Sequence, residues 1–268
     1  MPDLIRGLAG KERLFYSKKV VVFDLDGTLT ESKTAITKEM ADLFCRLLLK
    51  KKVAVMGGGN YSQFKNQFLS RLACPEQRYK NLFILPVSGG SFYEFRSGKW
   101  KIVYRKSLSP AEKDRILAAL EKTLKEAGYA PPDKVYGKII EDRGSQITFS
   151  AVGQRAPVAV KEKWNAENDA PIRRKLRLKL KKRLPGFEVR MGGLTSVDVT
   201  KKGIDKAFGI RMIAKLLNVA KKDIVYVGDA LYRGGNDSAV KKTGVDTIQV
   251  KDEKETKKII QKFLARKK

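Results

Sequence analysis

Residues 20–30 read VVVFDLDGTLT. Val20, Val21, Val22 and Phe23 are a continuous β-branched and aromatic run, the pattern of a strand buried on both faces. The chain then turns acidic. Alternation along a strand places Asp24 and Asp26 on one side, at its carboxyl end, where open parallel sheets hold their ligands. Two carboxylates this close repel each other unless a cation lies between them. A hard divalent ion, magnesium above all, meets that need through oxygen ligands. One carboxylate is then placed to attack a phosphorus while its neighbour moves the proton. An EF-hand loop is excluded, because its glycine would fall two places after Gly27.

The pattern repeats outward from this stretch. Residues 53–56 (VAVM) run into Gly57, Gly58 and Gly59, residues 224–227 (IVYV) run into Gly228-Asp229, and residues 247–250 read as another strand. Thr37 caps a helix whose apolar positions Met40, Leu43, Phe44, Leu47 and Leu48 follow the 3.6-residue period. Strands alternating with helices predict an α/β fold, a Rossmann-like parallel sheet covered on both faces. The middle reads differently. Ser109-Pro110-Ala111-Glu112 is a capping box, opening a helix with Ile116, Leu117, Leu120 and Leu124 that stops at Gly128. Strand-like stretches lie at residues 92–95, 101–104 and 146–152. A second helix, expected around residues 171–184, carries the stripe Ile172, Leu176, Leu180 and Leu184. This block, residues 93–192, reads as an α+β insert between core halves 1–92 and 193–268.

Composition narrows the chemistry. The 268 residues include 57 Lys plus Arg, 29 Asp plus Glu and no histidine, for a net charge of +28. Without histidine there is no Ser-His-Asp triad, no Cys-His protease and no His-ligated zinc. Cys45 and Cys74 form no C-x-x-C pair and suggest no disulfide framework, which suits a reducing, cytoplasmic setting. No apolar run approaches the roughly 18 residues of a membrane span. Residues 1–19, with Arg6, Lys11, Glu12 and Arg13, hold no signal-peptide h-region. The positive charge admits nucleic acid as a partner, but basic residues are spread widely. The dense run at 173–183 reads as the solvated face of a helix, so nucleic-acid binding is the remote alternative.

The DLDGT motif after an apolar strand resembles the nucleophile motif of the haloacid dehalogenase superfamily, mostly magnesium-dependent phosphotransferases. The resemblance implies that Asp24 becomes an aspartyl phosphate. It makes Asp26 the general acid/base, with its main-chain carbonyl helping to bind magnesium. Residues 228–237 (GDALYRGGND) fit the superfamily's late acidic motif, with Asp229 as a magnesium ligand and Asn236 and Asp237 ordering the loop behind it. Lys206, selected by its position after Gly203 and Asp205, would hold Asp24 ionised and offset phosphoryl charge.

Over nearly its whole length the chain is similar to the eukaryotic-type phosphomannomutases. The similarity rests on residues 22–30, residues 55–64 (VMGGGNYSQF), Ser196-Val197-Asp198-Val199, Lys206 and residues 228–237, in that family's order. Glu141-Asp142-Arg143, Ser150 and Gly153-Gln154-Arg155 are similar to its sugar-phosphate-binding stretch. By that resemblance Arg143 and Arg155 hold the distal phosphate, Ser196 and Asp198 contact the sugar or its phosphate, and Arg190 adds to the pocket. It further implies a phosphorylated hexose substrate, a hexose 1,6-bisphosphate activator for a mutase, and a homodimer through the insert. The sequence departs from the family in two places. Gly59-Asn60 stands where the family has serine and aspartate, leaving the amides of Gly57, Gly58 and Gly59, or Ser62, to meet the phosphoryl group. The family's Gly-Arg-Ser-Cys is Gly153-Gln154-Arg155-Ala156. Both departures favour the alternative of a sugar-phosphate phosphatase over a mutase.

Overall fold

The computed structural model describes residues 8–31 and 34–266, so residues 1–7 of the N-terminal reading lie outside it. The deciding stretch is strand β1, Val20–Asp24, buried from end to end. It pairs in parallel with β2 (Lys52–Met56) and with β10 (Ile224–Gly228). Parallel pairing continues to β3 (Leu82–Leu85) on one side and β11 (Asp246–Gln249) on the other. Strands β4 (Ser91–Arg96) and β5 (Lys99–Arg105) complete a seven-stranded sheet of order β11-β10-β1-β2-β3-β4-β5, in which β4 runs antiparallel to β3.

Alternation divides the strands between two cores. Val21, Phe23, Val53, Val55 and Val227 pack with Phe44, Phe64, Phe68 and Ile260 on one face. That face is covered by α1 (Leu8–Ser17), α2 (Lys38–Leu47) and α7 (Glu253–Ala265). Val20, Val22, Ala54 and Met56 pack with Ile210 and Ile213 of α6 (Lys206–Leu216) on the other. Each of the buried Val, Ile, Met and Phe side chains contributes roughly 1.5–3 kcal/mol. The Thr37 cap forms as expected, its hydroxyl accepting from the Met40 amide.

Residues 105–204 form a second compact unit, and the described residues before 105 and after 204 form the first. The second unit holds an antiparallel sheet of β6 (Ile140–Asp142), β7 (Gln146–Ser150), β8 (Phe187–Gly192) and β9 (Ser196–Lys201), in the order β6-β7-β9-β8. Helices α4 (Pro110–Glu126) and α5 (Val158–Arg183), with Leu184 just past the end of α5, bury Ile116, Leu120, Leu176, Leu180 and Leu184 against Ile147, Phe149, Val197 and Val199. The capping box at Ser109 and Glu112 is complete.

Several expectations change. The hairpin β4–β5, read as part of the insert, extends the large sheet, and β9 lies wholly in the second unit, so the chain divides later than residues 92 and 192. Helix α5 runs through Pro171 instead of starting near it; residues 161–170 carry too few apolar side chains to announce a helix by period. Cys45 and Cys74 are joined in a disulfide with Cα atoms 5.3 Å apart, which corrects the reading of two separate thiols. They stand 29 positions apart in sequence, and it is the packing of Cys74 against the α2 core that brings them together. Among the described residues no helix is long and apolar enough to cross a membrane.

Candidate active site

The site forms at the carboxyl ends of β1 and β10. Asp24 is the last residue of β1, and Asp229 follows the last residue of β10. Between them the chain turns back at Gly27, whose amide donates to the Thr30 carbonyl at 2.7 Å. Gly27 adopts φ +80°, and a Cβ there would lie 2.7 Å from Asp229 Oδ2. Glycine is therefore required twice over, by the left-handed backbone and by the approach of the carboxylate. Thr28 donates to Asp229 Oδ1 at 3.2 Å.

Lys206 opens α6, directly after Asp205, whose side chain caps the helix by accepting from the Phe208 amide. Its ammonium is 1% exposed and lies 2.6 Å from Asp24 Oδ1 and 2.5 Å from Asp237 Oδ1. Asp237 also accepts from the Tyr226 hydroxyl at 2.7 Å and, at Oδ2, from the Ala230 amide at 3.1 Å. Carboxylate oxygens of Asp24, Asp229 and Asp237 all lie within 4.8 Å of one another.

Three carboxylates thus share a buried space with one ammonium. Burial pushes the Asp24 carboxyl well above the usual range, against the pull of Lys206 and with the repulsion of Asp237. Burial and then Asp237 push Asp229 up as well. Burial opposes the charge on Lys206, but Asp237 and Asp24 outweigh it and hold the ammonium above its ordinary value. Acid and base both cling to protons because the cluster is short of positive charge. An oxygen-seeking divalent cation fits this deficit and this donor set. Asp237 has both oxygens engaged by protein donors, so Asp24 and Asp229 are the carboxylates placed to receive it.

The other expected residues distribute unevenly. Asp26 is half-buried in the turn, bridged to Thr30, and its carboxylate is outside the acidic cluster. Asn236 is exposed and makes no hydrogen bond among the described residues; the loop is held by Asp237 and by Gln249, which accepts from the Leu231 amide at 3.0 Å and donates to the Asp229 carbonyl. The glycine turn follows β2, whose Met56 is in register with Asp24. Its Gly57 amide is engaged by the Leu85 carbonyl at 3.3 Å, which removes one of the three amides expected to meet a phosphoryl group. The carbonyls of Gly57 and Gly59 accept from Ser88 and Val87, two non-glycine residues at positive φ. The Gln63 carboxamide covers the spot where a side chain at 59 would stand.

In the second unit Arg143 donates to Glu141 at 2.6 Å and to the Gln154 carboxamide at 2.9 Å. Gln154 also donates to the Thr148 carbonyl at 3.1 Å, so it anchors Arg143 to the sheet. Arg155 is exposed. Asp198 accepts from Thr148 at 2.8 Å and stands in register with Arg190, which donates to the Ile204 carbonyl at 2.9 Å. Ser196 is buried opposite Ser150. Sequence reasoning missed Tyr226, seen there only as a strand residue, and Gln154, seen only as a displaced arginine.

A mainly parallel sheet with an Asp-x-Asp turn after its central strand, a buried lysine and a Gly-Asp turn after the neighbouring strand defines an enzyme of the haloacid dehalogenase phosphotransferase type. The profile of eukaryotic phosphomannomutases matches residues 40–266, and the chain belongs to that family. It is 25% identical to phosphomannomutase 2 of Dictyostelium discoideum over 223 residues, covering 81% of this chain and 84% of the other. It is 24% identical to the phosphomannomutase of Saccharomyces cerevisiae over 221 residues, 81% and 83% of the two chains. In fold it is similar to an IMP-nucleotidase of Plasmodium falciparum (TM-score 0.69, 18% identity, 97% of this chain and 71% of that one). It is likewise similar to a trehalose-6-phosphate phosphatase of Aspergillus fumigatus (TM-score 0.56, 14% identity, 96% and 97%).

Proposed function

We propose that the protein transfers a phosphoryl group on a hexose phosphate through an aspartyl phosphate at Asp24, interconverting mannose 1-phosphate and mannose 6-phosphate. The reading is carried by the placement of Lys206 between Asp24 and Asp237, beside Asp229. Asp24 and Asp229, with the Asp26 carbonyl, would hold magnesium, which when bound neutralises phosphoryl oxygens. An Asp24 oxygen attacks phosphorus in line, the bond from phosphorus to the sugar oxygen breaks, and Asp26 delivers a proton to that oxygen. Lys206 favours the ionised form of Asp24 against the pull of burial and offsets the charge of the transferring group. In the return step Asp26 takes a proton from the receiving hydroxyl of a bound hexose monophosphate, that oxygen attacks the phosphoaspartate phosphorus, and the bond from phosphorus to Asp24 breaks, restoring the carboxylate. Arg143, fixed by Glu141 and Gln154, and Arg155 would bind the phosphate that is not being transferred when the sugar is a hexose 1,6-bisphosphate, through their guanidinium forks.

A phosphatase on the same site is the second reading. It is favoured by Gly59, where no hydroxyl is present to bind the transferred group. A phosphorus NMR time course with mannose 1-phosphate, magnesium and a trace of hexose 1,6-bisphosphate separates the two, with Asp24→Asn as control. A growing 6-phosphate signal supports the mutase, and free phosphate alone replaces it with the phosphatase. No change in either signal overturns the hexose-phosphate assignment.

A further inference from the structure

We propose that Tyr226 is a positioning residue of the reaction, holding Asp237 so that Lys206 is shared with Asp24 and not captured by Asp237. The inference rests on the phosphoryl-transfer reading of the same site.

Lys206 lies between two carboxylate oxygens at nearly equal distance, 2.6 Å to Asp24 and 2.5 Å to Asp237. An ammonium so placed moves toward whichever oxygen carries the less compensated charge. The Asp237 oxygen that faces Lys206 is the one that accepts from the Tyr226 hydroxyl at 2.7 Å, and its other oxygen is taken by the Ala230 amide. With three donors Asp237 is satisfied. Among the described residues no protein donor other than Lys206 is seen on Asp24, which leaves Asp24 the stronger attractor until a phosphoryl group arrives.

The strand itself does not explain the hydroxyl. Tyr226 is fully buried in β10 among Val20, Val22 and Ile224. A phenylalanine ring would fill the position without burying a polar atom, and burying one has a cost unless it is bonded. The ring is also held closely: a Cβ on Gly228 would stand 2.7 Å from its Cε1 and 3.0 Å from Asp237 Cγ. Ring, glycine and carboxylate pack as one unit, which fixes the direction of the hydroxyl.

The test is a double-mutant cycle of Tyr226→Phe and Asp237→Asn, read as kcat and KM on mannose 1-phosphate with magnesium and as melting temperature. Tyr226→Phe removes one oxygen and should leave the melting temperature within a few degrees. Loss of a hydrogen bond to a charged group should lower kcat about tenfold, with KM unchanged within about twofold. In the Asp237→Asn background the same change should move kcat less than about twofold, because the group that Tyr226 acts through is already altered. An unchanged kcat in the single variant overturns the inference, as does an equal loss in both backgrounds. A wild-type chain that turns over no phosphate ester overturns the phosphoryl-transfer reading itself, and the inference falls with it.

Discussion

Replacing Lys206 by Met keeps the stem of the side chain and removes the cation that the described residues supply to the buried cluster. Asp237 retains Tyr226 and Ala230, but Asp24 loses its counter-charge. Breaking a buried ion pair on one side costs about 3–5 kcal/mol, and the donors left on Asp237 place this variant near the lower figure. For a unit of this size about 3 kcal/mol lowers the melting temperature by roughly 6–12 °C. The loss carries a pH signature. Burial already holds the Asp24 carboxyl above its unfolded value of about 3.9 with the lysine in place, and removing that counter-charge raises it further. Between the unfolded and folded values the native state binds more protons than the unfolded one, so stability falls as pH rises through that window. The gap between wild type and variant should be small near pH 4–5 and near its full size at pH 8 in a chelator. Magnesium should close part of it. Thermal unfolding of the first unit, followed apart from the second because two units need not melt together, measures the gap. A gap under about 1 kcal/mol, or one independent of pH, would refute the view that Lys206 is the counter-charge of Asp24.

Three further outcomes are expected. Reducing the Cys45–Cys74 disulfide, or replacing Cys74 by Ser, reopens a loop with a sequence separation of 29, for which loop-closure entropy gives about 3–4 kcal/mol; calorimetry with and without reductant checks this. Gly27→Ala forces a side chain into left-handed backbone 2.7 Å from Asp229. It should cost about 1–2 kcal/mol and raise the magnesium concentration for half-maximal activity, read by titration. Gly59→Ser displaces only the far end of Gln63, a carboxamide with no hydrogen bond among the described residues. It should leave stability nearly unchanged while shifting the partition of the phosphoaspartate from water toward sugar, read by phosphorus NMR.

What could be read in the sequence was local. Residues 20–24 announce a buried strand because every position is apolar until the acid appears, and Thr37 and Ser109 announce helix starts because caps act within three residues. The site was legible only through motif order. Lys206 and Asp237 meet Asp24 across almost the whole chain, and no period or spacing connects them; the resemblance did. What was missed has no local signal. A tyrosine in IVYV looks like any strand residue until its hydroxyl finds Asp237. Two cysteines, one in α2 and one in a loop, say nothing of their pairing. The hairpin β4–β5 was assigned to the insert because an antiparallel edge strand and the first strand of an inserted domain share one pattern. In the glycine turn the count of amides was legible but not their engagement, since Gly57 donates to Leu85 only once β3 lies beside β2.

The central claim is that Asp24 carries the phosphoryl group. Acid-quenching the enzyme during turnover of mannose 1-phosphate, then mapping phosphate by mass spectrometry of its peptides, tests that claim most directly. The account predicts an acid-stable, hydroxylamine-labile phosphate on the peptide containing Asp24, absent from Asp24→Asn. Turnover with phosphate on another residue, or with no phosphorylated protein under conditions that trap such intermediates, would contradict it.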